Sequence, residues 1–113
     1  MPKLSPDEVE ESLKAVPEWA LVGEAIQRTF QLKDFMQAMK FVGQIAEAAE
    51  TANHHPDILI RYSRVTLTLQ THDAGGITDK DFGLAAKADA LAGAFAPTAR
   101  APGKVARPRK KGE

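Results

Sequence analysis

Apolar and polar residues alternate strictly through Val65-Thr66-Leu67-Thr68-Leu69, the period-two pattern of a strand with one face on a core. Ile58-Leu59-Ile60-Arg61-Tyr62 precedes it across Ser63-Arg64, so the two segments predict a β-hairpin. Trp19-Ala20-Leu21-Val22 and Ile26-Gln27-Arg28-Thr29-Phe30 flank Gly23-Glu24 and predict an earlier one. Between the hairpins the period lengthens. Phe35, Ala38, Met39, Val42, Ile45, Ala46 and Ala49 fall on one face of an amphipathic helix. This reading places Met36 and Met39 in the core.

Helix starts are marked by capping residues. Ser5-Pro6-Asp7-Glu8 offers a hydroxyl N-cap, proline at the first helical position and a carboxylate two residues further on; the helix it opens should stop before Pro17. Asp34 opens the amphipathic segment. Thr78-Asp79-Lys80-Asp81 opens a third helix through Leu84, Ala88, Leu91 and Phe95, ended by Pro97. The order α-ββ-α-ββ-α, with strands joined as hairpins, predicts an α+β fold. It is a two-layer sandwich: a four-stranded antiparallel sheet with helices packed on one face. Residues 1–96 form the single domain. The Pro-, Gly- and Lys/Arg-rich residues 97–113 form a basic, disordered C-terminal tail.

Composition adds little, since 43% hydrophobic and 27% charged residues are ordinary for a globular chain. Charge distribution adds more. Residues 1–99 carry 9 Lys/Arg against 14 Asp/Glu, a balance of −5, while residues 100–113 carry 6 against 1, a balance of +5. An acidic body disfavours nucleic acid as a partner, because phosphate neutralisation dominates such binding. The absence of cysteine rules out disulfides and thiolate metal sites. No apolar run reaches membrane-spanning length and no signal-peptide pattern opens the chain, so a cytoplasmic protein with no membrane partner is expected.

The chemistry lies in three histidines. His54 and His55 follow the amphipathic helix, and His72 follows the last strand. In an antiparallel hairpin the start of one strand neighbours the end of the next, so the three should meet at one sheet edge. Imidazole titrates near neutral pH and can donate or accept, which suits proton transfer. Two other readings stay open on these residues alone: a cap plus a surface histidine, or a three-histidine zinc site.

Glu50-Thr51-Ala52-Asn53-His54-His55-Pro56, followed by Tyr62, His72 and Asp81, resembles the signature of the pterin-4a-carbinolamine dehydratases. Thr71-His72-Asp73-Ala74-Gly75-Gly76-Ile77-Thr78 is similar to theirs as well. The resemblance implies dehydration of 4a-hydroxytetrahydropterin to quinonoid dihydropterin, recycling the pterin of aromatic amino acid hydroxylation. It implies no metal and no organic cofactor, the pterin being substrate. It makes His54, His55 and His72 catalytic, and Asn53, His54, His55, Gln70, Thr71, His72 and Asp73 substrate-binding. A homodimer or homotetramer is implied, and relatives that bind protein partners supply an alternative, non-catalytic role. Asp81 reads as a helix-cap residue and Tyr62 and Trp19 as packing residues. Glu50 either orients a histidine or is simply solvated.

Overall fold

The computed structural model describes residues 3–95, so the tail assigned to 97–113 lies outside the described residues. The alternating segment becomes β4 (Arg64–Leu69) and lies at the centre of the sheet. It pairs on one side with β3 (Asp57–Arg61) and on the other with β2 (Ala25–Gln31), which pairs in turn with β1 (Ala20–Val22). The order is β1-β2-β4-β3, antiparallel throughout. Two hairpins are thus joined side by side through their second strands.

Period two decides which residues face the helices. Ile26 and Phe30 of β2 and Val65, Leu67 and Leu69 of β4 are buried. They meet Ala38, Phe41, Ile45 and Ala49 of α2 (Phe35–Ala52) and Leu84, Ala85 and Ala88 of α3 (Asp79–Gly93) in one core. The opposite face is polar. There Gln27 Nε2 donates to Thr68 Oγ1 at 3.0 Å and the hydroxyls of Thr29 and Thr66 pair at 2.7 Å. The α+β two-layer arrangement expected from the pattern is the one observed.

All three helix starts are capped as read. Ser5 and Glu8 form a capping box at α1 (Pro6–Leu13), and Thr78 and Asp81 form another at α3. Asp34 accepts from the Gln37 N–H at 2.9 Å. Such caps satisfy N–H groups that the helix itself leaves unpaired. Aromatic rings then tie the layers together. Trp19 meets Phe30 edge-on at 6.0 Å, Phe30 meets Phe41 at 4.9 Å, and Phe41 meets Phe95 at 6.0 Å. Asp89 of α3 accepts from Trp19 Nε1 at 2.9 Å and from Arg28 at 2.7 Å, and Arg28 covers the Phe30 ring at 4.3 Å.

Three expectations are corrected. Met36 is 63% exposed and Met39 38%, so neither belongs to the core. The buried stripe of α2 instead runs through Phe41, which turns the helix away from the two methionines. Tyr62 is not a packing residue: it is 70% exposed. It occupies the β3–β4 turn with φ 56, and the turn is Tyr62-Ser63, one residue earlier than the pattern suggests. Trp19, by contrast, is buried as expected.

Asp89→Ala should therefore lower unfolding free energy by about 1–3 kcal/mol, because it strands a buried indole N–H and a half-buried guanidinium. Met36→Gln should change it by less than about 0.5 kcal/mol. Urea denaturation followed by Trp19 fluorescence measures both, and a larger loss for Met36→Gln would return that side chain to the core.

Candidate active site

The site begins where α2 stops. Asn53 adopts the left-handed conformation (φ 53, ψ 45), a common helix terminator. The N–H of His54 reaches back to the Ala49 carbonyl at 3.0 Å, closing the helix end. This reversal turns the His54 ring inward, where it is only 8% exposed. Pro56 then holds the preceding residue extended, and the chain enters β3 at Asp57, whose partner in register is Thr68 of β4.

Beyond β4, the chain makes a small closed loop. Thr71 N–H donates to the Gly76 carbonyl at 2.8 Å, and His72–Ala74 form a single 3₁₀ turn between them. Gly75 completes the loop at φ 76, where a side chain would be strained. His72 and Asp73 stand on the outside of this loop, exposed. The register thus sets His55 two residues before Asp57 and His72 four residues after Thr68, at the same end of the β3–β4 pair.

Asp81 joins the two segments. Its side chain is fully buried, and both oxygens are used. Oδ1 meets His54 Nε2 at 2.5 Å. Oδ2 accepts from Thr71 Oγ1 at 2.9 Å and from the Thr78 N–H at 2.9 Å. A carboxylate can only accept, so the proton of His54 is assigned to Nε2. The single hydroxyl hydrogen of Thr71 goes to Asp81, so in the 2.8 Å pair of Thr71 with Thr78 it is Thr78 that donates. The helix-cap role read from the sequence is real, but it is half of what Asp81 does.

His55 is arranged differently. It is exposed, and its Nε2 pairs with Glu50 Oε2 at 2.6 Å, one turn back on α2. Glu50 therefore holds a histidine rather than only solvent. Among the remaining residues named from the resemblance, Gln70 donates its amide to the Glu24 carbonyl at 3.2 Å. The side chains of Asn53, His72 and Asp73 make no hydrogen bond to the described residues. Among the described residues no three His, Cys, Asp or Glu side chains gather as a metal-ligand set. A hollow of about 620 Å³ between α2 and α3, lined by Gln44, Thr51, Lys80 and Lys87 among others, contains none of the histidines.

The sequence alone did not reveal the Asp81–His54 contact. The signal was present, since a carboxylate at the third helical position already points back toward the preceding loop. Nothing in the pattern, however, said that α2 ends against that loop.

Comparison with known proteins fits this arrangement. The family model described as pterin 4 alpha carbinolamine dehydratase matches residues 2–91. A protein of Acidobacterium capsulatum, provisionally named as a pterin-4-alpha-carbinolamine dehydratase, is 53% identical over 91 residues, covering 80% of this chain and 99% of its own. A relative from Chloroflexus aurantiacus with the same provisional name is 54% identical over 93 residues, 82% of this chain and 100% of its own. Among solved structures, a transcriptional coactivator/pterin dehydratase from Brucella melitensis superposes with a TM-score of 0.78 at 42% identity, covering 80% of this chain and 99% of that one. A pterin dehydratase-like RuBisCO assembly factor of the alpha-carboxysome gives 0.59 at 26% identity, over 67% and 90% of the two chains. This chain belongs to the pterin-4a-carbinolamine dehydratase family.

Proposed function

We propose that the chain dehydrates 4a-hydroxytetrahydropterin to quinonoid dihydropterin and water in the cytoplasm, by histidine proton transfer without metal or organic cofactor. The product returns to the pterin pool of aromatic amino acid hydroxylation. The observation that carries this reading is the buried Asp81 carboxylate. It fastens His54 and the segment leading to His72 into one arrangement, within a chain of this family.

Hydroxide leaves poorly. The 4a-hydroxyl must gain a proton and depart as water, while a ring N–H of the pterin loses its proton and supplies the electrons of the new C=N bond. Exposed imidazoles suit both transfers, which makes His55 and His72 the proton carriers. His54 is fixed through Nε2 and keeps Nδ1 free of any partner among the described residues, as a hydrogen-bonding edge for substrate. Asn53 and Asp73, with the amide oxygen of Gln70, which has no partner among the described residues, can match the donors and acceptors of a pterin ring. Thr71, whose hydroxyl is committed to Asp81 and Thr78, would line the site through its position.

One comparison favours a second reading, since a protein of this fold is titled as a RuBisCO assembly factor. A scaffold has no need of exposed imidazoles, and the presence of His55 and His72 beside the anchored His54 favours the enzyme.

Formation of quinonoid product from enzymatically generated carbinolamine is the direct test. His55→Ala and His72→Ala should each lower kcat/KM by about 10²- to 10⁴-fold without lowering the melting temperature, as both rings are exposed. Wild-type turnover should survive chelation and dialysis; loss that zinc restores would end the metal-free mechanism.

Asp81→Ala separates a cap from a keystone. Loss of a helix cap alone removes about 1 kcal/mol, whereas removing a buried carboxylate that also serves His54 and Thr71 strands two further donors, at about 1–3 kcal/mol each. The larger loss is expected in urea denaturation, together with loss of turnover.

Assembly follows from what is uncovered. The edge strands expose Leu21, Val22 and Leu59, and α2 exposes Phe35 and Met36. Open edges and apolar patches are normally covered, so we expect a homodimer or homotetramer. Sedimentation giving only a 12.2 kDa species at micromolar concentration would contradict it.

A further inference from the structure

β3 and β4 meet at their tip with like charges opposed. Arg61 and Arg64 are partners in register, and Gln31 of β2 is the partner of Arg64 on its other side. Val65 and Leu67 face the helices, so alternation turns Arg64, with Arg61 and Gln31, onto the open face of the sheet. Like charges directly opposite one another destabilise an antiparallel pair. Among the described residues neither guanidinium has a carboxylate partner, whereas Arg28 is held by Asp89 at 2.7 Å.

The turn between the arginines is equally unusual. Tyr62 has φ 56, a conformation that two-residue hairpin turns mostly give to Gly, Asn or Asp and that bulky residues seldom adopt. Its side chain is largely exposed, so packing does not explain the residue. Yet the tip is fixed. Ser63 is buried, its hydroxyl accepts from Gln31 Nε2 at 2.8 Å, and its carbonyl accepts from the Leu32 N–H at 2.8 Å. Gln31, Arg61, Tyr62, Ser63 and Arg64 line an open hollow of about 620 Å³.

We propose that this corner binds a compact phosphate monoester carried on an aromatic ring, of the nucleoside-monophosphate class. Each guanidinium offers a planar fork that fits phosphate oxygens. A dianion between the two relieves the repulsion that the register imposes. The Tyr62 ring, largely exposed beside the two arginines, supplies a flat face on which a base can stack. Duplex or single-stranded nucleic acid fits less well, because residues 1–99 carry a balance of −5 and this corner supplies two cations only.

Adenosine 5′-monophosphate is the probe, titrated into the full-length chain by calorimetry and by amide NMR shifts, with adenosine and inorganic phosphate as controls. Shifts should map to Gln31 and residues 61–64, with binding tighter than for either control. Arg61→Gln with Arg64→Gln should weaken binding about tenfold or more. Tyr62→Gly should also weaken it, yet raise the melting temperature by several degrees, since glycine takes the left-handed conformation without strain. Dehydratase turnover should be unchanged in both variants, because the histidines lie at the other end of the hairpin. Shifts confined to the basic tail or to the histidine loops, equal affinity for adenosine, or undiminished binding by the double arginine variant would each overturn the proposal.

Discussion

A carboxylate without water must find donors within the protein, and the fold around Asp81 is shaped by that requirement. An unpaired buried charge is among the most destabilising features a small domain can contain. Asp81 meets the demand with three donors drawn from three places: the end of α2, the exit of β4 and the start of its own helix. Satisfying one side chain therefore fixes how these three segments approach. The histidine motif sits on two of them. Its geometry is inherited from the folding of the domain, and no separate ordering step is required to assemble it.

The same interaction bears on the two exposed histidines. His55 and His72 each lie one residue C-terminal to an anchored one: His54 on Asp81, and Thr71 on the same carboxylate. A side chain next to a fixed point is confined without being buried. In the proposed mechanism these two rings carry protons, and such groups must reach a substrate while precise placement needs rigid neighbours. Here the two needs are divided between adjacent residues.

How much of this the sequence discloses depends on whether the signal is local. The capping residues, the two hairpins and the order of elements were legible, because each is set by a few neighbouring residues and a fixed period. The exposure of Met36 and Met39 was not. An apolar stripe on a helix is broad, and hydrophobicity alone does not say which edge of it meets the sheet; Phe41, packed on Phe30, decides that. Tyr62 misled for a related reason. A large aromatic argues for burial and against a left-handed turn, and both inferences fail where the residue is placed against its own preference. Asp81 was half legible: the cap is local, while His54 lies 27 residues away in the chain.

That pattern of failure is itself informative. Residues that follow local preference need no explanation beyond stability, whereas those that defy it ask for another cause. Asp81 defies the rule against buried charge, and it anchors the histidine motif. Tyr62 and the opposed arginines defy turn preference and charge pairing, at the far end of the same hairpin. β3 spans five residues, so the two ends stand about 14 Å apart at strand spacing. The distance exceeds the reach of one small ring system, so a ligand at the arginine corner and a pterin at the histidines would not compete for space. Any influence of one on the other would pass through the central strand β4, whose buried face makes it among the least deformable parts of the domain.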